Sequence, residues 1–264
     1  MQNKRLFFGF EVVSPWPEEM PAGRLLLEPD RHLTVAFLGS ANLPQLIQSL
    51  GSFPPLPFRI GLSGIFDQPI FLPHRLPNVA AWHIHWLEGE EPLCQFQKDL
   101  IAWLKENDFH PREQSGEFLP HVTIARKPFA IHEWKETFEK RPLFIRNLHL
   151  CESLGSSRFH VCWSHPVLAP FEEKEHTADI AFRVRGNSLQ DLHLHAQLAL
   201  SFHYPLLVDH FSQAEVRSLD EIVQSLNAMI GKIDQELGSP FKAVSYHGNI
   251  GTNEILDWEM IVDV

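Results

Sequence analysis

The chain has 264 residues, of which 44% are hydrophobic and 21% are charged, and its formal net charge is −11. This is enough material for one or two domains with packed cores, and no apolar run approaches the ~18 residues that a membrane-spanning helix needs. The stretch after Met1 lacks the apolar core of a signal peptide, so we expect a soluble, cytoplasmic protein with no membrane partner. The three cysteines follow no Cys-x-x-Cys spacing, which argues against a zinc knuckle and for free thiols in a reducing compartment.

The negative charge is concentrated in the last third of the chain. Residues 1–170 carry 16 Lys and Arg against 18 Asp and Glu, a net −2, whereas residues 171–264 carry 6 against 15, a net −9. Contacts with phosphate backbones need cationic side chains, so the first part is the better candidate for binding RNA. The second part better suits a metal ion or a basic protein surface. Together with the proline-bearing stretch 165–170, this shift predicts two domains, residues 1–168 and 171–264.

Strands dominate the predicted first domain. Alternating apolar and polar residues predict strands over residues 5–13, 31–38 (ended by Gly39), 56–65, 79–87, 121–127, 143–152 and 157–163. The last two are expected to form a hairpin around Gly155. The strand over 79–87 places His83 and His85 on one face. Because no third ligand lies nearby in sequence, we favour a strand face beside a cleft or solvent over a metal site.

Three helices are predicted between these strands. Asn42 is a candidate N-cap for a short helix over residues 43–50. A longer helix is expected from Pro92 to about Asn107, with an apolar stripe along one side, and a third over residues 131–138. Strands and helices therefore recur in two similar sets.

Two of the predicted strands carry the same short motif, in which histidine is followed two residues later by threonine. The copies are His32–Thr34 and His121–Thr123, and they account for two of the five threonines in the chain. Side chains alternate along a strand, so each imidazole shares a face with its hydroxyl, while the residue between them faces a core. An imidazole can give or take a proton near neutral pH, and a hydroxyl can donate to an anionic oxygen. Two such pairs facing each other would hold a phosphate between a general base and a general acid.

The doubled motif, with the opening strand Lys4–Phe10 and the late strand Leu150–Ser153, resembles the 2H phosphoesterase superfamily and, within it, the RNA 2′,3′-cyclic phosphodiesterases. The resemblance covers about residues 4–168. It implies an α+β, bilobal fold, in which two antiparallel sheet and helix lobes related by a pseudo-twofold axis surround a cleft. The implied reaction is hydrolysis of RNA 2′,3′-cyclic phosphate ends to 2′-phosphates, without a metal or other cofactor.

The same resemblance suggests roles for the motif residues. His32 would protonate the 3′ leaving oxygen and His121 would activate water, although the sequence alone leaves these two roles interchangeable. Thr34 and Thr123 would bind the non-bridging phosphate oxygens. Arg126 follows the second motif and is either a ligand of RNA phosphate or a solvated strand end.

The sequence of the second domain contains residues typical of helix starts and helix ends. Ser188, with Asp191 three residues later, predicts the start of a helix, and Ser218 with Glu221 predicts another. Gly238 ends the second helix. A final strand is expected from Trp258 to the C-terminus.

Three segments of this domain resemble archease, the activator of the GTP-dependent RNA-splicing ligase in tRNA splicing and RNA repair. They are Glu-His-Thr-Ala-Asp at residues 175–179, Lys-Ala-Val-Ser-Tyr-His at 242–247 and Ile-Val-Asp-Val at 261–264. The resemblance implies a small α+β domain, that ligase as a partner, and a Ca²⁺ or Mg²⁺ site formed by Asp179, Asp263 and Val264, with His176 and Lys242 nearby. Oxygen ligands of this kind suit both metals. The domain is shorter than complete archeases, which carry additional strands before Lys242, so loss of the metal or of the activator role is an alternative.

The sequence therefore predicts a two-domain RNA-processing enzyme, a cyclic phosphodiesterase fused to a shortened archease-like domain, which acts on RNA and not on DNA. Two alternatives remain open. The first is a non-enzymatic protein that binds RNA ends and activates a ligase. The second is a phosphodiesterase that acts on small cyclic nucleotides or on 2′,5′-linked oligonucleotides.

Overall fold

The computed structural model describes residues 3–112, 118–175, 179–252 and 254–264. In the first part of the chain the strands are β1 (Lys4–Val13), β2 (Arg24–Leu25), β3 (His32–Ala41), β4 (Ser63–Leu72), β5 (Val79–Trp86), β6 (His121–Arg126), β7 (Arg141–Gly155) and β8 (Arg158–His165). The helices there are α1 (Leu43–Ser49), α2 (Glu91–Glu106) and α3 (Ile131–Glu136). In the described ranges, no helix combines the length and apolar character needed to span a membrane.

These eight strands form one antiparallel sheet that closes on itself. The pairing runs from β1 through β3, β6, β5 and β4 to β7, and β7 pairs again with β1. The ring consists of two well-paired groups, β3–β1–β7 and β4–β5–β6, which meet at two shorter seams. At the seam between β3 and β6 a single pair is in register, Leu33 opposite Val122. The antiparallel α+β architecture is confirmed, and the pseudo-twofold relation between the two groups stays a prediction.

Helix α2 fastens β3 to the core. Its apolar stripe packs inward, with Leu93, Leu100 and Leu104 fully buried, and each such side chain stabilises the fold by about 1.5–3 kcal/mol. From the same face, Gln97 donates a hydrogen bond to the carbonyl oxygen of Val35 at 3.3 Å. Helix α2 therefore supports β3, the strand that carries the first motif, on its core-facing side.

The strand predicted over residues 56–65 is shifted, and the observed strand β4 begins only at Ser63. Before Ser63 the chain makes only isolated pairings, in which Ile60 forms a single bridge with Leu168 and the Leu62 carbonyl oxygen accepts from the Ile145 N–H at 3.0 Å. The prolines at 54, 55 and 57 cannot donate backbone hydrogen bonds, which limits pairing at the start of this segment. The strand β3 continues past Gly39, where its end was predicted, because Gly39 adopts a positive φ of 71° at a bulge opposite β1. Helix α3 ends before Phe138, whose ring packs edge-on against Trp82 at 5.7 Å.

The second part of the chain forms a separate four-stranded antiparallel sheet. Its elements are β9 (Phe171–Lys174), β10 (Ile180–Gly186), α4 (Leu189–His203), α5 (Leu219–Leu237), β11 (Ala243–Thr252) and β12 (Leu256–Asp263), with the strands in the order β11, β12, β10, β9. Both predicted caps are observed. Ser188 accepts a hydrogen bond from the Asp191 N–H at 3.1 Å, and Ser218 from the Glu221 N–H at 3.2 Å.

Contacts join the two sheets. Phe144 of β7 lies in the second core, with its ring 5.3 Å from that of Phe171. His195 of α4 is 2% exposed, and its Nε2 lies 3.0 Å from the carboxylate of Glu88 in the first part. Glu88 in turn accepts hydrogen bonds from the Ser63 N–H, so the start of β4 is tied to α4.

Candidate functional site

The seam between β3 and β6 brings the two histidine–threonine motifs together. Leu33 lies opposite Val122, so His32 and Thr123 flank this pair on one side, and Thr34 and His121 flank it on the other. Leu33 and Val122 are 1% and 0% exposed in the core. The four polar side chains therefore share the opposite face of the sheet.

Both histidine rings are oriented by the same backbone contact. Nδ1 of His32 lies 2.9 Å from the carbonyl oxygen of Asp30, and Nδ1 of His121 lies 2.8 Å from that of Leu119. A carbonyl oxygen can only accept, so each Nδ1 donates, and Nε2 is the nitrogen left to exchange a proton. Each carbonyl belongs to the residue two positions before its histidine, so the two sites have matching geometry.

His32 lies in an aromatic pocket. The ring of Phe7 stacks on it at 4.7 Å, and that of Phe159 meets it edge-on at 5.0 Å. Burial lowers the pKa of His32 to about 4, and the nearby charges of His121 and Arg126 act in the same direction. In the free protein the ring is therefore neutral at neutral pH.

Burial also lowers the pKa of His121. Beside it on β5, His83 is paired in register with His121. Nδ1 of His83 lies 2.7 Å from Oδ1 of Asp67. The structure thus places His83 on a strand face beside the seam, where it contacts a carboxylate and is within electrostatic reach of His121.

A cavity of about 430 Å³ opens at the seam, and we call it the seam cavity. Three of the four motif side chains line it, namely His32, Thr34 and Thr123, and Arg126 lines it with them. His121 is not part of the lining and lies beside it, next to Val122, which is paired with Leu33. The structure therefore places four of the five residues predicted for catalysis and phosphate binding in one cavity, and His121 beside it on β6.

The seam cavity is strongly cationic. Four arginines line it, namely Arg5, Arg24, Arg126 and Arg158, and among the residues that the structure describes no Asp or Glu lines it. Nε of Arg126 donates to Oγ of Ser157 at 2.7 Å, which fixes the guanidinium. Burial, with repulsion from Arg24 and Arg5, lowers the pKa of Arg126. Sequence reasoning did not single out Arg24 or Arg158, because they lie outside any motif and reach the cavity only through the pairing of β2 with β6 and through the β7–β8 hairpin.

The predicted metal residues lie at the end of the second sheet. Ile180 pairs with Val262 at the end of the β10–β12 ladder, and Asp179 and Asp263 are the residues that come next to this last pair in the chain. Nζ of Lys242 is 2.5 Å from the Val264 carbonyl oxygen and 3.6 Å from Oδ1 of Asp263, and so competes with a cation for these oxygens. Among the described residues no three His, Cys, Asp or Glu side chains cluster closely enough to hold a metal. His176 lies outside the described residues, and the Ca²⁺ or Mg²⁺ site stays a prediction.

No protein-family model matches the chain, and no curated protein matches it. Three similar solved structures are a phosphoesterase, apo LigT from E. coli and the protein TT0787 from Thermus thermophilus. Their identities are 16%, 17% and 16%, with TM-scores of 0.44, 0.45 and 0.41. The matches cover 63%, 64% and 62% of this chain and 99%, 99% and 98% of the other chains. At these scores the likeness bears on neither the site nor the function, and the comparisons give no support to the archease-like assignment of residues 171–264.

Proposed function

We propose that the first part of the chain hydrolyses 2′,3′-cyclic phosphate ends of RNA to 2′-phosphates. One observation carries the proposal, namely the register of Leu33 with Val122, which sets both histidine–threonine couples on one face of the sheet. The arginine-lined seam cavity beside them supplies the positive charge that an RNA phosphate needs.

The chemistry uses one imidazole as base and the other as acid. Nε2 of His121 takes a proton from water, whose oxygen attacks phosphorus. Nε2–H of His32 gives its proton to the 3′ oxygen as the P–O3′ bond breaks, which leaves a 2′-phosphomonoester and a free 3′-hydroxyl. The hydroxyls of Thr34 and Thr123 and the guanidinium of Arg126 bind the non-bridging oxygens as negative charge develops on them.

Burial of both histidines makes a prediction about pH. The base, His121, must be neutral, and the acid, His32, must be protonated. The negative charge of the bound phosphate favours the protonated form. Because kcat/KM reports the pKa values of the free enzyme, we expect a bell-shaped profile. Its two limbs should follow the two pKa values, which are about 4 for His32, the ring that must be protonated, and below 6.5 for His121, the ring that must be neutral.

The optimum of kcat/KM is therefore expected on the acid side of neutrality, and kcat should peak at higher pH because bound phosphate raises both pKa values. Initial rates measured from pH 3 to pH 9 at constant ionic strength check this expectation. An optimum of kcat/KM at pH 8 or above would contradict it.

The direct test is turnover of a short RNA that ends in a 2′,3′-cyclic phosphate, with the product mapped as 2′- or 3′-phosphate. A 2′-phosphate product supports the proposal, and a 3′-phosphate product contradicts the assigned bond cleavage. Faster turnover of cyclic mononucleotides or of 2′,5′-linked oligonucleotides would favour the small-substrate alternative. Binding of the RNA without turnover would favour a non-enzymatic RNA-end binder.

For residues 171–264 we propose the archease-like role, activation of a GTP-dependent RNA-splicing ligase with a Ca²⁺ or Mg²⁺ ion held by Asp179, Asp263 and Val264. Its support is the end of the β10–β12 ladder, where Asp179 and Asp263 come next to the last pair, together with the net charge of −9 in this region. The ligation rate of such a ligase, measured with the wild-type protein and with Asp263→Asn, tests it. Equal rates with both proteins would contradict the metal-dependent role.

A further inference from the structure

We propose that Arg5, Arg24 and Arg158 form a second phosphate subsite, which binds the phosphate on the 5′ side of the nucleoside that carries the cyclic phosphate. The preferred substrate is then an oligonucleotide end, or a cyclic mononucleotide that also bears a 5′-phosphate, and not a bare cyclic nucleoside phosphate. This inference rests on the proposed function of the seam cavity.

The positive charge in the cavity exceeds what the reacting group needs. A cyclic phosphate carries one negative charge, and Thr34, Thr123 and Arg126 are enough to bind it. Three further guanidinium groups line the same cavity. None of them lies within 4 Å of a carboxylate in the described part of the chain. By contrast, the arginines of the second domain are each paired with one, in Arg183–Asp257, Arg185–Glu172 and Arg217–Glu215.

Two of the cavity arginines are held directly against each other. Arg24 of β2 is paired in register with Arg126 of β6, and like charges in this position repel. Arg126 is held by its hydrogen bond to Ser157 and is assigned to the reacting phosphate. Arg24 is therefore available to bind a different anion. A second phosphate bound by Arg24 would offset the repulsion between the two.

The remaining two arginines are positioned by rigid parts of the fold. The guanidinium of Arg5 lies 4.9 Å from the centre of the Phe37 ring, and such stacking holds a guanidinium in place. The rings of Phe37 and Phe7 are nearly parallel at 6.4 Å, and Phe7 stacks on His32, so one aromatic stack connects the reacting centre with Arg5. Arg158 follows the two-residue turn at Ser156 and Ser157, which brings it into the cavity lining.

The test compares three substrates with the full-length protein: adenosine 2′,3′-cyclic phosphate, the same nucleotide with a 5′-phosphate, and a dinucleotide that ends in the cyclic phosphate. For the wild-type protein, kcat/KM should be about tenfold higher for the second and third substrates than for the first, mainly through KM. In the double variant Arg24→Gln/Arg158→Gln this preference should disappear. The matched control is Arg75→Gln, which changes an exposed arginine outside the cavity and should keep the preference.

The possible results of this experiment test the proposed subsite and the proposed hydrolysis separately. Equal kcat/KM for all three substrates in the wild-type protein, a gain with the dinucleotide alone, or a preference that survives in the double variant would each overturn the subsite and leave the proposed hydrolysis intact. Absence of turnover with every substrate would overturn the hydrolysis. Binding then decides the subsite: fluorescence anisotropy of a labelled dinucleotide that ends in a 2′-phosphate should show affinity weakened about tenfold by the double variant and unchanged by the control. Equal affinities would overturn it.

Discussion

Replacing either His32 or His121 with alanine is expected to lower kcat on cyclic-phosphate-ended RNA by about 10²–10⁴, the usual effect of losing a general acid or base. The structure orients both rings in the same way. In each, Nδ1 donates to a backbone carbonyl oxygen, and Nε2 is available to transfer a proton. Because the two act in one step, the double variant should be little slower than the slower single variant. Steady-state turnover of the three variants checks both expectations.

The matched control is His85→Ala, which removes an exposed histidine from neighbouring β5 and should keep wild-type turnover. His32 packs against Phe7 and Phe159, so thermal unfolding must show that its variant is folded. Full activity in either single variant would contradict the paired mechanism.

The second large effect is expected from the threonines. Thr34→Val and Thr123→Val keep the side-chain shape and the strand preference but remove the hydroxyl. If the hydroxyls bind oxygens whose charge grows in the transition state, each change should lower kcat by about 10²–10³. KM should change little, because the lost interaction strengthens only as the reaction proceeds.

Thr137→Val provides the control, since Thr137 lies at the end of α3 and its hydroxyl donates to the Glu133 carbonyl oxygen away from the seam cavity. Steady-state kinetics on the same RNA measure all three variants. A change in kcat of less than about threefold in both Thr34→Val and Thr123→Val would contradict the assigned role, because loss of a single such donor costs far more.

Much of the local structure follows from the sequence. Residue alternation predicts that each histidine shares a face with its threonine, and the burial of Leu33 and Val122 confirms it. Asn42 accepts a hydrogen bond from the Gln45 N–H, as expected of an N-cap. These features depend on neighbours within a few residues, so a single sequence contains the information that decides them.

What the sequence does not predict depends on distant pairing. The register of β3 against β6 joins residues 89 positions apart in the repeated motif, and neither strand encodes it alone. The same holds for Arg24, which enters the cavity because β2 adds to the far end of β6. The contact of His83 with Asp67 likewise needs the pairing of β4 with β5. The strand predicted over residues 56–65 begins only at Ser63, because the segment before it forms an isolated bridge, Ile60 with Leu168, rather than a ladder.

The closed ring of strands has a consequence for how the chain is made. β1 is synthesised first, yet one of its partners is β7, and the ion pair between Lys4 and Glu152 spans 148 positions. At typical elongation rates the ribosome needs on the order of 10 s to add the intervening residues. During that interval Leu6, Phe8 and Phe10, all fully buried later, belong to a strand with one side unpaired. The nascent chain should therefore be sensitive to aggregation and responsive to chaperones until residues 141–155 have left the ribosome.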